Sequence, residues 1–231
     1  MQIIALGGGG FSMEPNNPAL DRYIVEQAGV ARPKVCFLAQ ASAEAPNYII
    51  NFYKAFTALD CIPAHLSLFY PHTADLEGFL MNQNVIYVGG GNTKSLLALW
   101  RAWELDRILR QAAEAGTVLA GISAGGLCWF EYGLNEIAMQ KSILPGLGYL
   151  KGSCAVHYDD QSAPSRPPYH EWIGAGKLPD GVAFDDYAAG HYVNGELVRV
   201  VTSRPNAKAY RVERTADGVK ESALATTYLS P

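Results

Sequence analysis

The 231-residue chain has no basic run, no apolar stretch of membrane-spanning length and no Cys-x-x-Cys pair. Each lack removes a class of function. Its 18 Lys and Arg residues are scattered, and with 22 Asp and Glu the formal net charge is -4. No basic footprint for nucleic acid is present. A bilayer crossing needs ~20 consecutive apolar residues, so no membrane partner is expected. The first residues, Met1-Gln2-Ile3-Ile4-Ala5-Leu6 and then four glycines, lack the basic and apolar regions of a signal peptide. A cytoplasmic location is the expectation. Cys36, Cys61, Cys128 and Cys154 then read as reduced, packed thiols. His65, His72, His157, His170 and His191 form no i, i+4 pair, so no metal is read, and no organic cofactor is expected. Repeats and low-complexity linkers are also missing, so a single domain over residues 1–231 is expected.

What is present is strand–helix alternation. With 49% apolar residues the chain can bury a large core. Ile3–Leu6, Val35–Leu38, Ala64–Phe69, Val85–Val88 and Thr117–Ala120 read as short apolar strands. Helical spacing of apolar residues runs from Pro18 to Ala28, from Pro46 to Leu59, and through Leu96, Leu97 and Trp100 after a cap at Thr93. A further stripe through Leu105, Ile108, Leu109 and Ala112 closes at Gly116. Short apolar strands alternating with helices imply parallel pairing with both faces covered. The predicted fold is α/β, a doubly wound, mostly parallel sheet. The last third carries Val182–Phe184, Ala188–His191, Leu197–Val201 and Ala209–Val212, with Asn194-Gly195 as a hairpin turn. It reads as an antiparallel extension of the same sheet.

Three glycine-rich motifs stand at carboxyl ends of predicted strands, where such sheets bind ligands: Gly7–Ser12, Gly89–Thr93 and Gly121–Gly125. Gly121-Ile122-Ser123-Ala124-Gly125 is a Gly-x-Ser-x-Gly turn between a strand and helix-compatible residues, Leu127-Cys128-Trp129-Phe130. Such a turn lifts a serine hydroxyl above the sheet edge. Ser123 is the candidate nucleophile. The Ala124 amide, at a helix start, suits an oxyanion. Gly90 and Gly91 offer a second donor. No Gly-Lys-Ser/Thr follows them, so a P-loop is excluded, and Gly7–Gly10 does not fit the dinucleotide fingerprint.

A serine needs a base and an orienting acid. His157 ends an apolar run among polar residues; His191 is its rival and His170 a lesser one. For the acid, Asp185 and Asp186 follow a strand, while Asp159, Asp160 and Glu136 are alternatives. The order Ser123, aspartate, His191 would match an α/β-hydrolase. The order Ser123, His157, Asp186 would not.

Gly89–Thr93, Gly121–Gly125, His157-Tyr158-Asp159 and Phe184-Asp185-Asp186, in this order, resemble the S51 peptidases, which include peptidase E and cyanophycinase. The resemblance spans the N-terminal glycines to about Val212. It implies the fold of class I glutamine amidotransferases, with serine in place of their cysteine. It also implies a serine peptidase with Ser123 as nucleophile, His157 as base, and oxyanion amides from Ala124 and the Gly90–Gly91 loop. The expected activity is that of a dipeptidase cleaving short peptides with N-terminal aspartate. The acid departs from the family, since Asp186 and Tyr187 stand where glutamate and glycine are usual. Arg166, followed by prolines, is the candidate for an acidic substrate side chain, and Asn92 a further substrate contact. The expected partner is a small peptide, with a homodimer left open. An amidohydrolase or esterase acting on another small molecule, and a non-catalytic binding protein of the same fold, are the alternatives.

Overall fold

A computed structural model describes residues 1–230. The alternation is present as β1 (Gln2–Leu6), the short α1 (Gly10–Met13), α2 (Ala19–Glu26), β2 (Lys34–Leu38), α3 (Pro46–Ala58), β3 (Ile62–His65), α4 (Leu76–Met81), β4 (Val85–Val88), α5 (Thr93–Ala102), α6 (Leu105–Glu114) and β5 (Val118–Ile122). Side by side in the sheet, β1, β5, β4, β2 and β3 run parallel. Alternate residues of one strand enter opposite cores, as the two-residue period requires. Ile4 and Val35 pack with Leu20, Ile24, Phe52 and Phe56 of α2 and α3. Ile3 and Leu119 pack on the other face with Leu97, Trp100 and Leu109 of α5 and α6. Both faces are thus covered, which is why these strands read as unbroken apolar runs.

The chain continues through α7 (Ala124–Leu127), β6 (Phe130–Ile137), β7 (Gln140–Pro145), β8 (Leu150–Ala155), α8 (Arg166–Gly174), β9 (Gly181–Phe184), β10 (Ala188–Val193), β11 (Glu196–Thr202), β12 (Ala209–Thr215), β13 (Gly218–Ala223) and β14 (Thr227–Tyr228). β10 pairs antiparallel with β1 and then with β11, which forms the expected extension. Its hairpin turns on Asn194 and Gly195, both at positive φ. β9 and β12 do not join it. They belong to a second sheet ordered β13-β12-β9-β8-β6-β7. That sheet sets Phe130, Leu150, Cys154, Val182 and Phe184 into the core shared with Ile3 and Leu119. Its other face, with Leu134, Ala155 and Val212, packs on Tyr169 and Ile173 of α8.

Three local expectations shift. β3 lies earlier than Ala64–Phe69, because the Glu44 carboxylate takes the Leu68 N–H at 2.7 Å and ends the ladder. Asn92, not Thr93, caps α5, its Oδ1 accepting from Ser95 N at 2.9 Å. The helix after Ser123 lasts four residues. Backbone N–H groups of Leu147, Tyr149 and Leu150 take the carbonyls of Cys128 and Trp129, so the chain turns into β6 instead. All four cysteines are buried free thiols. No described helix is long and apolar enough to cross a membrane.

Candidate active site

The sheet order puts β5 between β1 and β4, so their three following loops meet. Ser123 leaves β5 with φ 55 and ψ -114. Its N–H donates to Leu6 O at 3.0 Å, and its carbonyl accepts from Gly126 and Leu127 at 2.9 and 2.8 Å. Close packing imposes the glycine two residues on: a Cβ on Gly125 would lie 2.3 Å from Val88 O. The turn is therefore strained and held from both sides, as expected where geometry serves chemistry.

His157 and Asp186, the candidate base and acid, come from the second sheet. His157 follows β8 and Asp186 follows β9, and these two strands pair parallel. Tyr158 N donates to Phe184 O at 3.1 Å and ties the two loops together. His157, itself at φ 49, places Nε2 2.8 Å from Ser123 Oγ and Nδ1 2.6 Å from Asp186 Oδ1. Nδ1–H donating to the carboxylate leaves Nε2 as the acceptor for the serine O–H. Asp159, an alternative acid, does something else: its Oδ1 accepts from Asp186 N at 2.8 Å. Gly8 makes room for the same carboxylate, since a Cβ there would come within 1.9 Å of Asp186 Oδ1.

The remaining candidates are engaged elsewhere. Asp185 is buried, accepts from Lys208 N at 3.0 Å, and burial pushes its carboxyl up to about 6. Asp160 accepts from Ser162, whose hydrogen bonds hold it below the usual carboxylate range. Glu136 pairs with Lys141. His191 is bound by Tyr23 Oη at 2.8 Å and Gln2 Oε1 at 3.1 Å, and burial lowers its pKa. His170 is bound to Glu221 at 2.8 Å. His65 is held by Tyr53 and His72 stacks edge-on with Phe79.

Around Ser123, the site of a Cβ on Gly90 lies 3.8 Å from Oγ, so this loop passes close to the hydroxyl. Gly90 N–H donates to Tyr48 Oη at 3.2 Å. Among the described residues no protein acceptor takes the N–H of Gly91 or of Ala124. Gly91 has φ 137 with Ala41 O 2.2 Å from the site of a Cβ, so only glycine fits there. A cavity of about 300 Å³ opens beside Gly91, Ser123, Ala124 and His157. Asn92 and Arg166 do not line it. Asn92 is spent on the cap of α5. Arg166 pairs with Glu221 at 2.5 Å and lies over the rings of Tyr158 and Tyr210.

Sequence reading missed Glu221, which accepts from Tyr158 Oη and His170 as well as Arg166. A lone glutamate in an alternating polar strand carries no local signal. The same holds for Lys141 on β7, while Tyr48 reads as one more member of the apolar stripe of α3. Asp159 reads in sequence as one candidate acid among several, and its nearness to His157 carries no sign of its contact with the Asp186 backbone.

A model of peptidase family S51 matches residues 3–200. An uncharacterized peptidase of Bacillus subtilis (strain 168), YgaJ, is 51% identical over 228 residues, 99% of each chain. The crystal structure of a peptidase from an acI-B1 Actinobacterium shares the fold. Its TM-score is 0.69 at 15% identity, over 97% of this chain and 94% of that one. With both the family model and a near-full-length relative in agreement, the chain belongs to peptidase family S51.

Proposed function

We propose that the protein is a serine peptidase that cleaves short peptides through an acyl-enzyme. The observation that carries this reading is the continuous chain from Ser123 Oγ through His157 to Asp186, at 2.8 and 2.6 Å. In this reading His157 Nε2 takes the Ser123 proton as Oγ attacks the scissile carbonyl. The oxyanion is received by the N–H groups of Ala124 and Gly91, while the Gly90 N–H is already donated to Tyr48 Oη. His157 then protonates the leaving amine, and water attacks the acyl carbonyl to release Ser123. Asp186 holds the imidazole in the tautomer that this exchange needs.

The narrower reading is a dipeptidase selective for N-terminal aspartate, as the resemblance to peptidase E implies. The place of Arg166 favours a broader range, because its guanidinium is committed to Glu221 and lies outside the cavity at Ser123. Hydrolysis of a panel of Asp-X, Ala-X and isoaspartyl dipeptides tests both readings. Ser123→Ala is expected to lose about 10⁴-fold or more in kcat. Wild-type rates in that variant would remove the serine mechanism.

A further inference from the structure

The third glycine-rich motif, Gly7–Ser12, takes no part in the reaction proposed above, yet it carries a ring that helps to place the loop beside Ser123. Phe11 packs on Tyr48 with ring centroids 5.3 Å apart, and Phe37 meets the same tyrosine edge-on at 5.0 Å. Phe52 stacks on Phe37 at 4.7 Å. Contacts of this kind fix the direction of a ring as well as burying it. Gly89 lets the tyrosine come close under the loop, since a Cβ there would stand 3.0 Å from Tyr48 Cε1. Of these four rings only Tyr48 carries a polar atom, and that atom meets the Gly90 N–H at 3.2 Å. Burial pushes the phenol up, so at neutral pH it stays an uncharged hydroxyl.

The backbone donors of the Gly89–Asn92 loop can be followed one by one. Gly89 N–H goes to Leu38 O at 3.0 Å, Gly90 N–H to Tyr48 Oη, and Asn92 N–H to Ala41 O at 2.8 Å. Of the four, only Gly91 N–H takes no acceptor among the described residues. Gly91 lines the cavity with Ser123, Ala124 and His157. Its amide therefore stands between two anchored ones. Gly90 runs so close to the serine that a Cβ on it would lie 3.3 Å from Ser123 Cβ, so a rotation of the Gly90 peptide is felt at the reacting group.

We infer that Tyr48 is a positioning residue for the oxyanion: by engaging the Gly90 N–H it fixes the loop so that the Gly91 N–H meets the charge formed beside Ser123. The inference rests on the serine-peptidase reading and adds the side chain that sets one of its two oxyanion donors. Tyr48→Phe keeps the ring and its packing and removes only the acceptor.

Covalent labelling of Ser123 by a fluorophosphonate tests this without a known substrate. Ser123 Oγ displaces fluoride from phosphorus, and the phosphoryl oxygen gathers the charge that the loop must meet. Labelling is timed over a range of probe concentrations in the wild type and in Tyr48→Phe, at a temperature well below the melting point of both. The maximal labelling rate is expected to fall about tenfold in Tyr48→Phe, since a misplaced donor acts on the transition state. The probe concentration giving half that rate is expected to change less than about twofold. A maximal rate in Tyr48→Phe that is unchanged or faster overturns the inference, and so does a loss confined to the half-saturating concentration, which would mark Tyr48 as packing for the cavity. If the probe labels neither protein at Ser123, the serine-peptidase reading itself falls and takes this inference with it. Labelling of both at equal rates leaves that reading in place and removes Tyr48 alone.

Discussion

At the scale of single residues, Ser123 holds φ 55 and ψ -114, a conformation that an L-residue keeps only when its surroundings over-determine it. Leu6 O on one side and the α7 amides on the other do so. Asp186 is held just as closely, by His157 on its side chain and by Asp159 on its backbone N–H. These two aspartates should therefore differ sharply on substitution. Asp186→Asn puts an amide against Nδ1 and disturbs the tautomer, and kcat is expected to fall about a thousandfold or more. Asp159→Asn keeps an acceptor oxygen for the Asp186 amide, and less than about a tenfold loss is expected. Steady-state peptide hydrolysis by the two variants checks the order, and the reverse ranking would make Asp159 the functional acid. The residues alone offer Asp185 and Asp186 as a pair, and only the family resemblance points to Asp186. Burial of Asp185 against Lys208, which separates them, depends on β12 arriving from elsewhere.

At the scale of elements, β13 reaches across to the loop that carries His157. Glu221 on β13 holds Tyr158, the next residue along, together with Arg166 and His170 at the start of α8. Removing that hub leaves the imidazole less well placed, and a shift of about 1 Å at a reacting group costs up to ~10²-fold in rate. Glu221→Ala is expected to lower kcat about tenfold or more with KM little changed, measured well below the melting temperature. Glu221→Gln keeps one acceptor oxygen and is expected to recover most of the loss. A parallel fall in both variants, or a change confined to KM, would show that Glu221 does not act through His157. Nothing in the local pattern of Gly218–Ala223 pointed to this. Alternating polar residues on an edge strand read as solvent-facing, and only the pairing of β13 with β12 brings Glu221 to α8.

At the scale of the whole molecule, one buried carboxyl ties stability to pH. Asp21, on α2, is fully buried beneath Gly10 and Tyr87, its Oδ1 has no partner, and burial raises its pKa from 3.8 to about 7. The folded state therefore keeps a proton that the unfolded chain has released. Stability from this site is complete below 3.8 and declines as pH rises to about 7. The shift corresponds to about 4 kcal/mol as an upper bound. Asp21→Asn stays neutral throughout, so the melting temperature of the wild type should fall relative to this variant between those two pH values. Parallel melting curves across the range would show that Asp21 ionises normally in the fold.

The sequence by itself determined the strand–helix alternation, the parallel sheet and the turn at Ser123. Each rests on local physics: apolar period, capping and the steric need for glycine where backbone meets backbone. His157 and Asp186 were legible as residue types in a recurring order, through resemblance and not through spacing. Only the tertiary structure decided that β8 and β9 form a second sheet, and that this sheet carries His157 and Asp186 to Ser123, which the first presents. The reason is that strand pairing between segments far apart in the chain is set by which faces bury together, as Cys154, Val182 and Phe184 do against Ile3 and Leu119. An alternating strand records that it has an apolar face, and not which partner will cover it. The fate of Arg166 followed from the same fact, because Glu221 reaches it only once β13 and β12 have joined the sheet beside α8.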